Sequence, residues 1–197
     1  LERLLHLLRL LTTYPELSAA DPATRSELEA IVSPLPEGDL ADRAAGYLRR
    51  LQGECFGDAA AIRGDLTWLE ANGFCQGEPC LVPIQPPPPS PLQPEDPWRS
   101  GVHDGYPPTG DAPVFVRVFT LLRHLLQQPF DQAEGVPLPE HLIARTEAIP
   151  GAYLPSEAAT LRKDLEKLLT PYGFRPRNDN VRHGYAIGTA LLSAHRL

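Results

Sequence analysis

The sequence states one short theme twice. Ala61-Ile62-Arg63-Gly64-Asp65-Leu66-Thr67-Trp68-Leu69 closes at Gly73-Phe74, and Thr160-Leu161-Arg162-Lys163-Asp164-Leu165-Glu166-Lys167-Leu168 closes at Gly173-Phe174. Each copy follows a leucine-rich helix, Leu1 to Leu11 in the first case and Val114 to Leu126 in the second. Each precedes a short apolar segment broken by turn residues. Self-similarity of this kind restricts the fold to two copies of one supersecondary unit, because both must bury the same face. Helices followed by a β-hairpin form the element order of a winged helix. The expected class is therefore mostly α with small β-hairpins (α+β), as two tandem winged helix-turn-helix domains. Their expected bounds are 1–84 and 113–197, joined by a proline-rich linker over 85–112.

Local signals fill in this outline. Leu1, Leu4, Leu5, Leu8 and Leu11 share one helical face, and Asp21-Pro22 opens a second helix running to about Val32. A third helix is expected from Asp39 to Leu51, and Asp58 caps a fourth that carries Ile62, Leu66 and Leu69 inward. Gly73 supplies the left-handed stop. Phe74 to Ile84 reads as a hairpin around Gln76-Gly77-Glu78-Pro79. From Pro83 to Pro113 periodicity vanishes, and Pro86 to Pro89 with five further prolines make a stiff spacer, in which Trp98 and Tyr106 are apolar groups that pin it to a domain. Val114 to Leu125 forms the next apolar stripe, Pro139 opens a short helix to Ile149, and Ser156 caps a helix to about Leu169. Phe174 to Arg177 and His183 to Ile187 then form a two-stranded wing around Asn178-Asp179-Asn180, before a short closing helix over 188–197.

Composition excludes several classes. No stretch approaches the ~20 uninterrupted apolar residues of a membrane span, and Glu2, Arg3, His6 and Arg9 break the leucine-rich start, so a cytoplasmic location is expected. The chain has no methionine, even at position 1, which suggests a piece of a longer protein with a sensory domain elsewhere. Of three cysteines, Cys75 and Cys80 are close enough to face each other across the first hairpin, but reduced structural thiols are the default. No histidine stands near that pair, so no metal is expected. Phosphate-cradling, nucleophile-elbow and zinc-protease motifs are missing, and the six histidines are scattered; neither enzyme activity nor a cofactor is expected.

Charge divides unevenly. Residues 1–82 carry 7 basic against 13 acidic residues, and 83–113 carry Arg99 against four acids. Residues 114–197 carry 10 basic against 8 acidic residues. Only the second half suits a polyanion. With Leu161, Leu165 and Leu168 buried, Arg162, Lys163 and Lys167 lie off the core face, and the wing adds Arg175, Arg177, Arg182 and His183. Such a cluster on a last helix and its wing is what phosphate contacts in a major-groove reader require. In the first copy only Arg63 matches, to Arg162. Aligning Ile62 with Leu161 sets Gly64 against Lys163 and Trp68 against Lys167. The first unit should therefore contribute less to DNA affinity, with Trp68 packed in its core or against the other unit, the linker or a partner.

The pattern Ile62-Arg63-x-Asp65-Leu66-x-x-Leu69-Glu70-x-x-Gly73-Phe74 resembles the recognition helix and the start of the wing in bacterial DeoR-like winged-helix regulators, which often precede a ligand-sensing WYL domain. Arg182-His183-Gly184-Tyr185-Ala186-Ile187-Gly188-Thr189 is similar to segments of the cyanobacterial WYL group. The likeness covers about a third of the chain. It implies that Arg162, Lys163 and the wing arginines contact DNA, although Gly64 departs from the cation usual there and no sensor domain is recognisable. The resulting expectation is a regulator of transcription that binds double-stranded DNA. It acts either as a homodimer on half-sites ~34 Å apart or as one chain imitating a dimer. The competing expectation is an acidic adaptor in a chromosome or transcription complex, binding a protein partner through its N-terminal domain.

Overall fold

Seven leucines among the first eleven residues leave the first segment no option but to be a helix buried along most of its girth. Helix α1 (Glu2–Thr13) hides Leu4, Leu5, Leu7, Leu8, Leu10 and Leu11. The computed structural model describes residues 1–14, 17, 22–74, 82–86, 112–128 and 135–174, together with the backbone of 177–179 and 184–186. Helix α2 (Pro22–Ile31) is mostly exposed and docks through Leu28. Helix α3 (Leu40–Gln52) begins at a reciprocal cap in which Asp39 and Asp42 each accept from the other's backbone N–H. A short 3-10 turn at Glu54–Phe56 leads to α4 (Ala59–Ala71), whose first free N–H groups donate to the Asp58 carboxylate.

The second half repeats the plan with α5 (Ala112–Gln127), α6 (Leu138–Thr146) and α7 (Ala158–Asp164). Helix α7 begins from a 3-10 turn at Pro155–Glu157, where the Glu157 carboxylate accepts from the Leu154 N–H at 2.7 Å. Ser156 is therefore not the cap. The chain then widens into a π turn over Leu165–Leu169, and tightens into a 3-10 turn over Thr170–Tyr172.

The two ends of the repeat match bond for bond. Gly73 and Gly173 take φ of 74° and 83°, which a residue with a Cβ resists. The N–H of Phe74 then reaches Leu69 O at 3.0 Å, and that of Phe174 reaches Leu169 O at 3.1 Å. Both are Schellman stops, and both phenylalanines are buried. Asp65 precedes its glycine by eight positions, whereas Asp164 precedes its glycine by nine. The π turn absorbs the extra residue, since a π turn is a one-residue insertion into an α-helix. Trp68 thus corresponds to Leu168, both half-buried, and not to Lys167.

The expected α+β class with two winged-helix domains is overturned. Helix accounts for 72% of the residues whose side chains the structure describes, and none of those residues lies in a strand. Among the described residues, strand backbone is limited to β1 (Arg177–Asp179) and β2 (Gly184–Ala186), antiparallel with Asn178 opposite Tyr185. Asn178 and Asp179 therefore belong to a strand and not to a turn. This pair of strands is the second expected hairpin, with its first strand later in the chain than expected, and it is too small to change the helical class. The first expected hairpin, with Cys75 and Cys80, lies mostly outside the described residues, as do Trp98, Tyr106 and 188–197.

Buried residues from α1, α3, α4, α5, α6 and α7 form one continuous cluster. Trp68 of α4 meets Phe115 and Phe119 of α5 edge-on, each at 5.5 Å between centroids. Its Nε1 donates to Gln85 O at 2.8 Å, so Trp68 packs against both the other half and the segment that leaves α4.

Within each half a first-helix arginine meets a last-helix aspartate. Arg3 grips Asp65 with two N–H groups, and Arg117 Nε donates to Asp164 Oδ2 at 2.9 Å. Removing one partner of such a pair strands the other charge. Asp164→Ala should therefore cost about 3–4 kcal/mol, and Asp65→Ala less, because the Arg3 side chain is 39% exposed and Arg117 only 21%. Urea unfolding followed by helix signal and by tryptophan emission should report both losses as single coincident transitions.

Candidate nucleic-acid interface

The outer face of α7 and the π turn is set by what faces inward. Leu161, Asp164, Leu165 and Leu169 are buried, which turns Arg162, Lys163, Glu166 and Lys167 to solvent. Asp164 does not offset the surface cations, because its carboxylate lies inside. There it accepts from Arg117 and from the Tyr153 hydroxyl at 2.8 Å. Burial, followed by the charge of Asp164, pushes the Tyr153 phenol well above its usual value of 10. The Arg117 guanidinium also lies 5.7 Å from the Tyr153 ring centroid. This three-residue network fixes the rotation of α7 and hence the direction in which Lys163 points.

The expected DNA contacts fall into four groups. Lys163 and Lys167 are exposed and form no ion pair among the described residues. Arg162 is exposed with its Nη2 3.8 Å from Glu140 Oε1 on α6, a loose pair that water screens. Arg63 is held harder. Its Nη2 lies 2.8 Å from Asp39 Oδ2 and 3.5 Å from Asp42 Oδ1 at the start of α3. Arg175, Arg182 and His183 lie outside the described residues, and Arg177 is described only as strand backbone.

The same position on the two last helices therefore carries different chemistry. On α4, Arg63 faces two carboxylates, and Gly64 exposes bare backbone with nothing within 4 Å of where a Cβ would sit. An open cleft of about 200 Å³ runs beside it, lined by Asp39, Arg63, Leu66, Thr67 and Glu70 among others. On α7, Arg162 faces one carboxylate and Lys163 stands where Gly64 is. The Asp39 carboxyl is lowered from 3.8 to about 2 by the Asp42 backbone N–H and then by Arg63.

Sequence reasoning missed the arginine–aspartate pairs and the hydrogen bonds from Arg123 on α5 to Asn72 O and Val82 O. A signal was present: Arg3 and Arg117 stand at matching places on the two leucine stripes, just as Asp65 and Asp164 do in the repeated motif. Comparison with known proteins finds no match to any family model, curated protein or solved structure.

Two titrations follow. Because its folded value is depressed, Asp39 stabilises the fold above pH 3.8 and loses that contribution as pH falls through about 2. Carboxyl NMR should find its midpoint near 2, and Arg63→Ala should move it part of the way back towards 3.8. Tyr153 has the opposite sense. The folded chain keeps this proton above pH 10, where the unfolded chain releases it, so stability declines as pH rises past 10. Tyr153→Phe should make that decline shallower by up to about 1.4 kcal/mol per pH unit in urea titrations between pH 10 and 11.5.

Proposed function

We propose that the chain is a non-enzymatic regulator that binds double-stranded DNA, chiefly through the outer face of α7 and the π turn behind it. The observation that carries this reading is the contrast between the two equivalent faces. Lys163 and Lys167 stand exposed without a carboxylate partner among the described residues, while the matching surface of α4 holds Gly64 and an arginine occupied by Asp39 and Asp42. Free lysines beside a rigidly anchored helix suit phosphate contacts, which supply most of the sequence-independent affinity for DNA. Arg175, Arg177 and Arg182 follow within twenty residues of Lys163 and extend the basic run. The reading includes a cytoplasmic location. No helix among the described residues is long and apolar enough to cross a membrane.

One observation favours the second reading, an acidic adaptor for protein partners. The chain carries a formal net charge of −7, and both Arg63 and Arg162 are turned towards carboxylates of their own fold. Binding to double-stranded DNA, measured by fluorescence anisotropy across a salt series, separates the two. A DNA binder shows affinity falling steeply with salt. Lys163→Glu with Lys167→Glu should weaken binding at least tenfold, and replacing both by alanine should reduce the salt slope by about 2. Arg63→Ala should leave binding nearly unchanged. Wild-type chain that fails to bind at 50 mM salt would favour the adaptor.

A further inference from the structure

The two halves clasp each other reciprocally. Helix α5 reaches over the end of α4, where Arg123 donates to Asn72 O at 2.7 Å and to Val82 O at 2.6 Å, and Gln127 donates to Gly73 O at 2.7 Å. Helix α1 reaches over the matching end of the other half. His6 meets the Tyr172 ring at 4.9 Å, and Arg9 lies so close to Gly173 that a Cβ there would sit 2.8 Å from its Nε. Arg9 and Arg123 stand six residues after Arg3 and Arg117, and Gly73 and Gly173 are the matched stops. Contacts in which each copy's first helix caps the other copy's last helix are the mark of an isologous, two-fold interface. Here that interface is made within one chain.

We infer that this chain is an internal pseudo-dimer that engages DNA as a single copy, at one asymmetric site, with the α4 face silenced. The inference rests on the DNA reading above. A homodimer of identical subunits presents two equal faces and reads a palindrome. This chain presents two equivalent faces of opposite character, and among the described residues only the α7 face offers free cations to phosphate. Its target is therefore a non-palindromic duplex contacted in one segment.

The test is the stoichiometry and protection pattern of the complex. Titration at chain concentrations far above the dissociation constant, with sedimentation of the products, should give one chain per duplex. Hydroxyl-radical cleavage should show protection without a two-fold mate. Two chains per duplex with symmetric protection would overturn this inference alone, whereas no complex at any salt would overturn the DNA reading with it. A second variant tests the silencing. Gly64→Lys with Asp39→Asn and Asp42→Asn restores the cation and frees Arg63. Asparagine still caps α3, and a Cβ at position 64 meets nothing within 4 Å. Each chain of this variant should protect a second DNA segment, on the same duplex or another. Protection unchanged from wild type would overturn the equivalence of the two faces.

Discussion

The arrangement of this molecule hangs on a guanidinium–carboxylate pair used twice, Arg3 with Asp65 and Arg117 with Asp164. Leucine stripes alone bury area without fixing rotation, because one apolar side chain substitutes for another at modest cost. A partly buried ion pair is different: it tolerates one geometry, and leaving either charge alone inside the fold is expensive. Each pair ties the first helix of its half to the last, so the outward face of α4 or α7 is decided from inside. In the second half Tyr153 donates to the same carboxylate oxygen that Arg117 reaches, and the last helix is held from two sides.

Arg123 extends the same logic to the contact between halves. It is 1% exposed, a fixed positive charge that burial alone would strongly disfavour. Among its partners are the carbonyl oxygens of Asn72, where α4 ends, and of Val82 beyond it. The end of a helix leaves carbonyls unsatisfied and carries the negative end of its dipole, so the guanidinium caps α4 from the other half of the chain. Gln127 adds a neutral bond to Gly73 O. Around this polar clasp, Trp68, Phe74, Phe115 and Phe119 close an aromatic cluster that excludes water and strengthens the bonds within it.

How much of this was legible in the sequence depends on whether the signal was local. The start of α3 at Asp39, the start of α4 at Asp58 and the stop at Gly73 follow from side chains that bond their own backbone, and each was readable from a few residues. The apolar stripes of α1 and α5 were readable from period alone. The start of α7 was misjudged because Ser156 looks like a cap, while Glu157 reaching back to Leu154 does the work. The interior place of Asp164 is not legible locally, because nothing near it in sequence shows that Arg117 and Tyr153 wait for it inside. The fold class failed for a related reason: the described structure is dominated by helices of both halves sharing one core, which no short segment reveals on its own.

The one-residue difference between the two copies shows which parts of the design are constrained. An added residue in a helix turns everything after it by about 100°, which would carry Leu169 and Phe174 out of the core. The π turn over 165–169 takes up that rotation instead, so the aspartate before it and the phenylalanine after it keep the positions their counterparts hold in α4. Core positions have thus stayed matched through an insertion that a plain helix does not accommodate. Surface positions show no such restraint: Gly64 stands where Lys163 does, and Arg63 faces two carboxylates where Arg162 faces one. A scaffold whose interior holds its register while its equivalent outer faces diverge in charge is one in which the two faces no longer share a task. That divergence, more than the overall acidity of the chain, is what the proposed DNA contact at α7 rests on.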